Sequence, residues 1–368
     1  MDDVLGLINL YEPPTNLAAI TQHRPLAAVP FGGRYRLIDF VLSSMVNSGI
    51  RNVGIMVEQK CRSLLDHLRS GKEWDLARKR DGLFILPPPE AVPTACGDLH
   101  NFQYHLDYIR KSRQKYVLIT AGDTICNVNY REPFAFHRSK QAEVTLLYTS
   151  APGNHPDAPG IKINIGQNGR LLAGDETSVA GGLQGSSLEM YILQKDLFAD
   201  LIQEGRTKGY SDFGCDVILK NRERLKIFAY PHNGYTARIR SLSSYYRQNM
   251  GLLQPEIWQE LFYRSGLIYT KIKDEAPVKY RETASVKNAL IANGCIIEGQ
   301  VENSILFRGV RVRKGACVKN SIIMQKGDIA ENAAVEFAIC DKDVSVTAGK
   351  KVRGTEKAPL VIAKGCTI

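Results

Sequence analysis

Three columns of residues keep the same six-residue beat between Leu306 and Gly327. Leu306, Val312, Val318 and Met324 form an apolar column, and Val310, Ala316 and Ile322 form a second one in step with it. Gly309, Gly315 and Gly327 mark a third, with Ser321 filling the slot between them. A hexad with an apolar residue and a small residue at fixed phase describes one side of a parallel β-helix coil, which buries its apolar face only by stacking on its neighbours. An irregular β-sandwich is the alternative, but it gives no reason for three columns to stay locked together. The pattern predicts a β-helix over 286–368. Residues 254–285, with Pro255, Pro277 and mixed polarity, read as a linker.

Residues 1–253 have another texture. Val4 to Leu10 and Asn52 to Val57 are short apolar runs of buried-strand type, and Tyr116 to Thr120 is a further run that ends in Ala121-Gly122-Asp123. Between them, Leu37 to Asn47, Cys61 to Arg69 and Tyr104 to Lys111 repeat apolar residues at helical spacing. Strands alternating with helices predict an α/β domain with a mainly parallel sheet covered on both faces. Ligands of such sheets bind at the carboxyl ends of strands, which is where Asp123 falls.

Other classes are excluded by composition. The eight cysteines are scattered singly with no CxxC pair, and His100 and His105 are five apart, so neither a disulfide framework nor a zinc site is expected. No apolar stretch approaches the roughly 20 residues of a membrane span. The start, Met1-Asp2-Asp3 and then a run broken by Glu12-Pro13-Pro14, is too acidic and too short for a signal peptide, so a cytoplasmic protein is expected. The formal net charge of +10 fits a solvated basic surface or anionic small molecules. Nucleic acid is not expected, because no binding motif or aromatic-studded basic arm is present.

The block Phe31-Gly32-Gly33-Arg34-Tyr35-Arg36-Leu37-Ile38-Asp39-Phe40 closely resembles glucose-1-phosphate adenylyltransferases (ADP-glucose pyrophosphorylases). Ser70-Gly71-Lys72-Glu73-Trp74-Asp75-Leu76, Phe84-Ile85-Leu86-Pro87-Pro88, Ala121-Gly122-Asp123 and Asp212-Phe213-Gly214-Cys215-Asp216 extend the resemblance, which covers essentially the whole chain. It implies a Rossmann-like nucleotidyltransferase domain followed by a left-handed parallel β-helix. In that family glucose 1-phosphate attacks the α-phosphorus of ATP, and the chemistry needs a backbone phosphate cradle, cations over the developing charge and carboxylates on magnesium.

Most of that equipment is replaced here. The family's GGxGTRLxPLT cradle reads Tyr11-Glu12-Pro13-Pro14-Thr15-Asn16-Leu17-Ala18-Ala19-Ile20-Thr21, which loses the glycines and two N–H donors and adds a negative charge. Leu26 stands at the KPAV lysine. Counting back from Tyr245-Tyr246 and Asn249 puts Arg238 at the second magnesium carboxylate. The EKP lysine has no counterpart, the nearest stretch being Asp175-Glu176-Thr177-Ser178. Each loss typically costs about 10²–10³ in rate, and even a discounted combination leaves on the order of 10⁵ missing.

The resemblance therefore implies a largely non-catalytic, D-type regulatory subunit of the family, with no cofactor of its own. A catalytic partner would hold the magnesium, typically in a heterotetramer. Asp123, Gly97 and Gly214 are then vestigial substrate or metal positions. Arg34 and Arg36, two arginines after a Gly-Gly turn, either present forked donors to an anionic effector such as a sugar phosphate or phosphate, or pair with carboxylates at a contact. The alternative is an active nucleotidyltransferase with a divergent phosphate loop. A β-helix acyltransferase is discarded, since the hexad region contains no histidine.

Overall fold

A computed structural model describes residues 1–11, 17–88, 97–150, 160–174 and 182–368. It divides into two compact units. The first holds residues 1–11, Ile38–Arg238 and Leu261–Tyr269. Its sheet starts with four parallel strands side by side, in the order Gly82–Leu86, Asn52–Met56, Val4–Asn9 and Tyr116–Ala121. Every residue of Val4–Asn9 is buried, as a central strand covered on both faces requires. The parallel core stops at Leu183–Gln194, which runs antiparallel to Tyr116–Ala121 on one side and to Val144–Thr149 and Lys162–Ile165 on the other. This twelve-residue strand carries a register shift between Ser187 and Met190.

The expected helices Leu37–Asn47 and Arg62–Leu68 form. The helix expected over Tyr104 to Lys111 is instead two, Asp98–Tyr104 and Leu106–Lys111, joined at His105. Phe102, Phe198 and Phe213 pack edge to face with centroids 5.3–5.6 Å apart and anchor the start of Asp98–Tyr104 in the core.

The second unit is a parallel β-helix joined by residues 17–37 and Ile239–Glu260. Val301 pairs with Val318, Val318 with Val335 and Val335 with Val352, all in parallel register. Successive coils are thus offset by 17 residues, not 18. The inward ladder runs Leu306, Val312, Val318, Ile323, Ile329, Val335, Cys340, Val346 and Val352, in steps of six, six and five. The strict hexad therefore holds for one coil and then slips, and Met324, buried as well, lies outside that ladder.

Three corners per coil are left-handed and repeat with the same offset. They are Asn303, Asn320 and Phe337, then Gly309, Lys326 and Asp343, then Gly315, Asn332 and Gly349. Gly309 and Gly315 are corner glycines, with φ of 70° and 72°. Gly327 is not: the corner has moved to Lys326, and a Cβ on Gly327 would lie 2.5 Å from Ile323. Ser321 bridges coils. Its N–H donates to Ser304 Oγ and its own Oγ accepts from the Ala338 N–H, both at 3.1 Å.

The boundaries expected at 253 and 286 differ from those of the compact units. The linker contains a helix, Pro255–Tyr263, and a first β-helix strand, Lys279–Tyr280. Residues 239–260 join the β-helix unit because their helix Leu242–Gly251 is bonded into it. Tyr245 Oη donates to Pro30 O and Tyr246 Oη to Asn320 O, each at 2.6 Å, while Asn249 Oδ1 accepts from the Gly32 N–H at 3.0 Å.

Candidate functional site

The carboxyl end of Tyr116–Ala121 delivers Asp123 into a turn before Thr124–Cys126. That short strand pairs antiparallel with Thr236–Arg238, with Arg238 opposite Thr124, so Asp123 and Arg238 are neighbours by backbone register. Arg238 Nε donates to Asp123 Oδ2 at 2.6 Å. Its two Nη groups form a fork on Glu189, with Nη2 to Oε2 at 2.7 Å and Nη1 to Oε1. The arginine side chain is only 7% exposed. Burial opposes its charge, and Asp123 and Glu189 more than offset that, which raises its pKa above the usual arginine value.

Glu189 is the residue that sequence reasoning missed. It sits inside the register shift of Leu183–Gln194 with a φ of 54°, a left-handed conformation uncommon for a non-glycine. A Glu in an otherwise glycine-like conformation is the one signal it offers, and that signal is visible only in three dimensions.

Magnesium, which the resemblance implies for this fold, does not suit these residues. The space between Asp123 and Glu189 is filled by a guanidinium. Among the described residues no three His, Cys, Asp or Glu side chains converge as metal ligands. Leu26, at the family's lysine position, is buried in an apolar turn, Leu26–Ala28. Residues 12–16 of the altered cradle and the stretch 175–178 lie outside the described residues.

Gly97 and Gly214 come close to one another through Asp98. Gly97 precedes the helix Asp98–Tyr104, and a Cβ there would lie 2.2 Å from Ser211 O. Asp98 Oδ1 accepts from the Phe213 N–H at 2.8 Å, and a Cβ on Gly214 would lie 2.7 Å from Tyr191 Oη. Both glycines thus serve close packing. Burial, reinforced by Asp212, pushes the Asp98 carboxyl up to about 8, so it is largely protonated near neutrality.

The two arginines of the Gly-Gly turn separate. Arg34 is exposed, with its guanidinium 5.5 Å from the Tyr35 ring centre. Arg36, on a strand paired with Pro30–Phe31, belongs to a cluster of cations within the β-helix unit. Lys342 is pulled down to about 7 by burial, then by Arg36 and Arg24, with Lys364 adding to the repulsion. Lys273 is lowered by burial, then by Arg308, Arg36 and Lys326. Arg24 is itself buried and ion-paired with Asp341. Asp341 beside Lys342 and Glu275 beside Lys273 offset part of this positive charge, and an anion with several oxygens would offset more.

Fold and site together define a nucleotidyltransferase-type scaffold in which an arginine bridges Asp123 and Glu189. Residues 14–176 match the nucleotidyl transferase family model, and 276–358 match the GlmU-like C-terminal hexapeptide model. The chain is 40% identical to the glycogen biosynthesis protein GlgD of Bacillus subtilis (strain 168), over 99% of its length and 96% of the relative's. It is 42% identical to GlgD of Geobacillus stearothermophilus, over 98% and 96%. A glucose-1-phosphate adenylyltransferase of Bacillus mycoides (strain KBAB4) is 32% identical, over 95% of each chain. The chain belongs to the GlgD family, a relative of the glucose-1-phosphate adenylyltransferases. No helix among the described residues is long and apolar enough to cross a membrane.

Proposed function

We propose that this chain is a largely non-catalytic regulatory subunit in glycogen biosynthesis. It works in the cytoplasm with a catalytic glucose-1-phosphate adenylyltransferase subunit, as a heterotetramer whose magnesium belongs to the partner. The observation that carries this reading is Arg238 between Asp123 and Glu189. A site that needs a cation-assisted pyrophosphate departure has its carboxylates already spent on an arginine. The relatives named for glycogen biosynthesis support the process. The cation cluster around Arg36 supports an anionic effector, a sugar phosphate or inorganic phosphate.

Steady-state synthesis of ADP-glucose from ATP, glucose 1-phosphate and magnesium tests it, with the chain alone, the partner alone and the two combined. The chain alone is expected to be inactive and to change the partner's response to effectors. Turnover by the chain alone within about tenfold of a typical ~10 per second would instead make it an enzyme with a divergent phosphate loop.

A further inference from the structure

We infer that Arg238 is a built-in cation standing where a nucleotidyltransferase of this fold would hold its metal, and that its charge closes the site to divalent ions. Three observations converge on this. The guanidinium bonds Asp123 through Nε and Glu189 through both Nη groups, so each of its three nitrogens donates to a carboxylate. The arginine side chain is 7% exposed, against 19% for Asp123 and 26% for Glu189, so the cation lies deeper than the acids it joins. Finally, the backbone is shaped to bring Glu189 in. A register shift in Leu183–Gln194 and a left-handed φ of 54° aim a carboxylate at a position that a regular strand would not reach. Such a conformation persists only where its surroundings hold it, and the bidentate pair with Arg238 is a contact that does so.

A divalent ion entering this site would have to displace a buried guanidinium and break its charge-assisted hydrogen bonds to both acids. Replacing Arg238 by aspartate reverses the situation, because it removes the cation from between Asp123 and Glu189 and adds a third, shorter carboxylate on the same strand. Hard divalent ions take oxygen ligands of this kind. The inference deepens the non-catalytic reading but needs no partner. Its test reads metal binding, not turnover, so either can fail without the other.

The probe is Mn²⁺, followed by EPR and calorimetry on the full-length chain. Wild type is expected to show no Mn²⁺ site that Asp123→Asn removes. Arg238→Asp is expected to gain one site at least tenfold tighter than any in wild type, to lose it again when Asp123→Asn is added, and to rise in Tm by about 2–4 °C near saturation. A wild-type Mn²⁺ site abolished by Asp123→Asn would overturn the inference. So would a folded Arg238→Asp chain that binds no Mn²⁺. If that variant does not fold, Arg238→Gln takes its place in the same assay, with the same two outcomes.

Discussion

Glu189 and Arg238 make sense only as a pair, and their energetics follow from that. Removing the guanidinium leaves two partly buried carboxylates facing each other. Arg238→Gln is therefore expected to lower stability by about 3 kcal/mol, toward the lower end for a broken buried pair because both acids keep some water. Adding Asp123→Asn and Glu189→Gln removes the charges left behind and should restore most of it, which urea unfolding of the single and triple variants would measure. Asp98 gives a prediction of opposite electrostatic character. Its folded pKa of about 8 lies above the ordinary carboxylate value, so the folded state binds the proton more tightly than the unfolded chain does. The associated stability is present at acid pH and is lost as pH rises from about 4 through about 8. Asp98→Asn, which keeps an oxygen to accept from Phe213, should match wild type near pH 4 and gain on it steadily up to pH 8 in urea midpoints. Arg238 was legible in the sequence because it can be counted back from Tyr245-Tyr246. Glu189 was not, since a bulge places it, and neither was the neutral state of Asp98, which depends on burial by segments far along the chain.

The β-helix was legible as an element but not in its exact period. Six-residue columns follow from the need for each side of a coil to present one apolar residue inward, and Leu306, Val312 and Val318 do so. The five-residue side is invisible within a single coil, because a slip of one residue per coil shows only when several are stacked. The corner chemistry is partly readable. Asn, Asp and Gly at left-handed positions have a reason, whereas Lys326 and Phe337 hold the same conformation through the stacking of their coils. Ser321, which looked like a gap in a glycine column, is a connection. Ser321→Ala should cost about 1–2 kcal/mol, because the buried Ala338 N–H loses its acceptor. Ser321→Gly should lose at least as much, and a thermal or urea unfolding comparison of both variants checks it.

At the scale of the whole molecule, the cation cluster gathers residues from the start and the last third of the chain, which is why Arg36 could be named from a motif but Lys342 and Lys273 could not. Its expected behaviour has a definite sign. An anion that settles among these groups raises the lowered pKa of Lys342, so binding takes up a proton near pH 7 and strengthens as pH falls from about 9 toward 7. Sulfate, whose own charge is constant over that range, should raise Tm more at pH 7 than at pH 9 at fixed ionic strength, and Arg36→Ala should reduce the rise at least by half. The same interleaving sets the timing of folding. Arg24 finds Asp341 only across 317 residues. At about 5–20 residues per second of synthesis, roughly 16–60 s pass between the emergence of the cation and that of its counter-ion. During that interval an early segment waits for a late one, and a chain cut short before Asp341 has an arginine whose counter-ion is missing. The ion pair is thereby a check that synthesis has reached Asp341, a point still short of the strands Lys351–Arg353 and Leu360–Ile362.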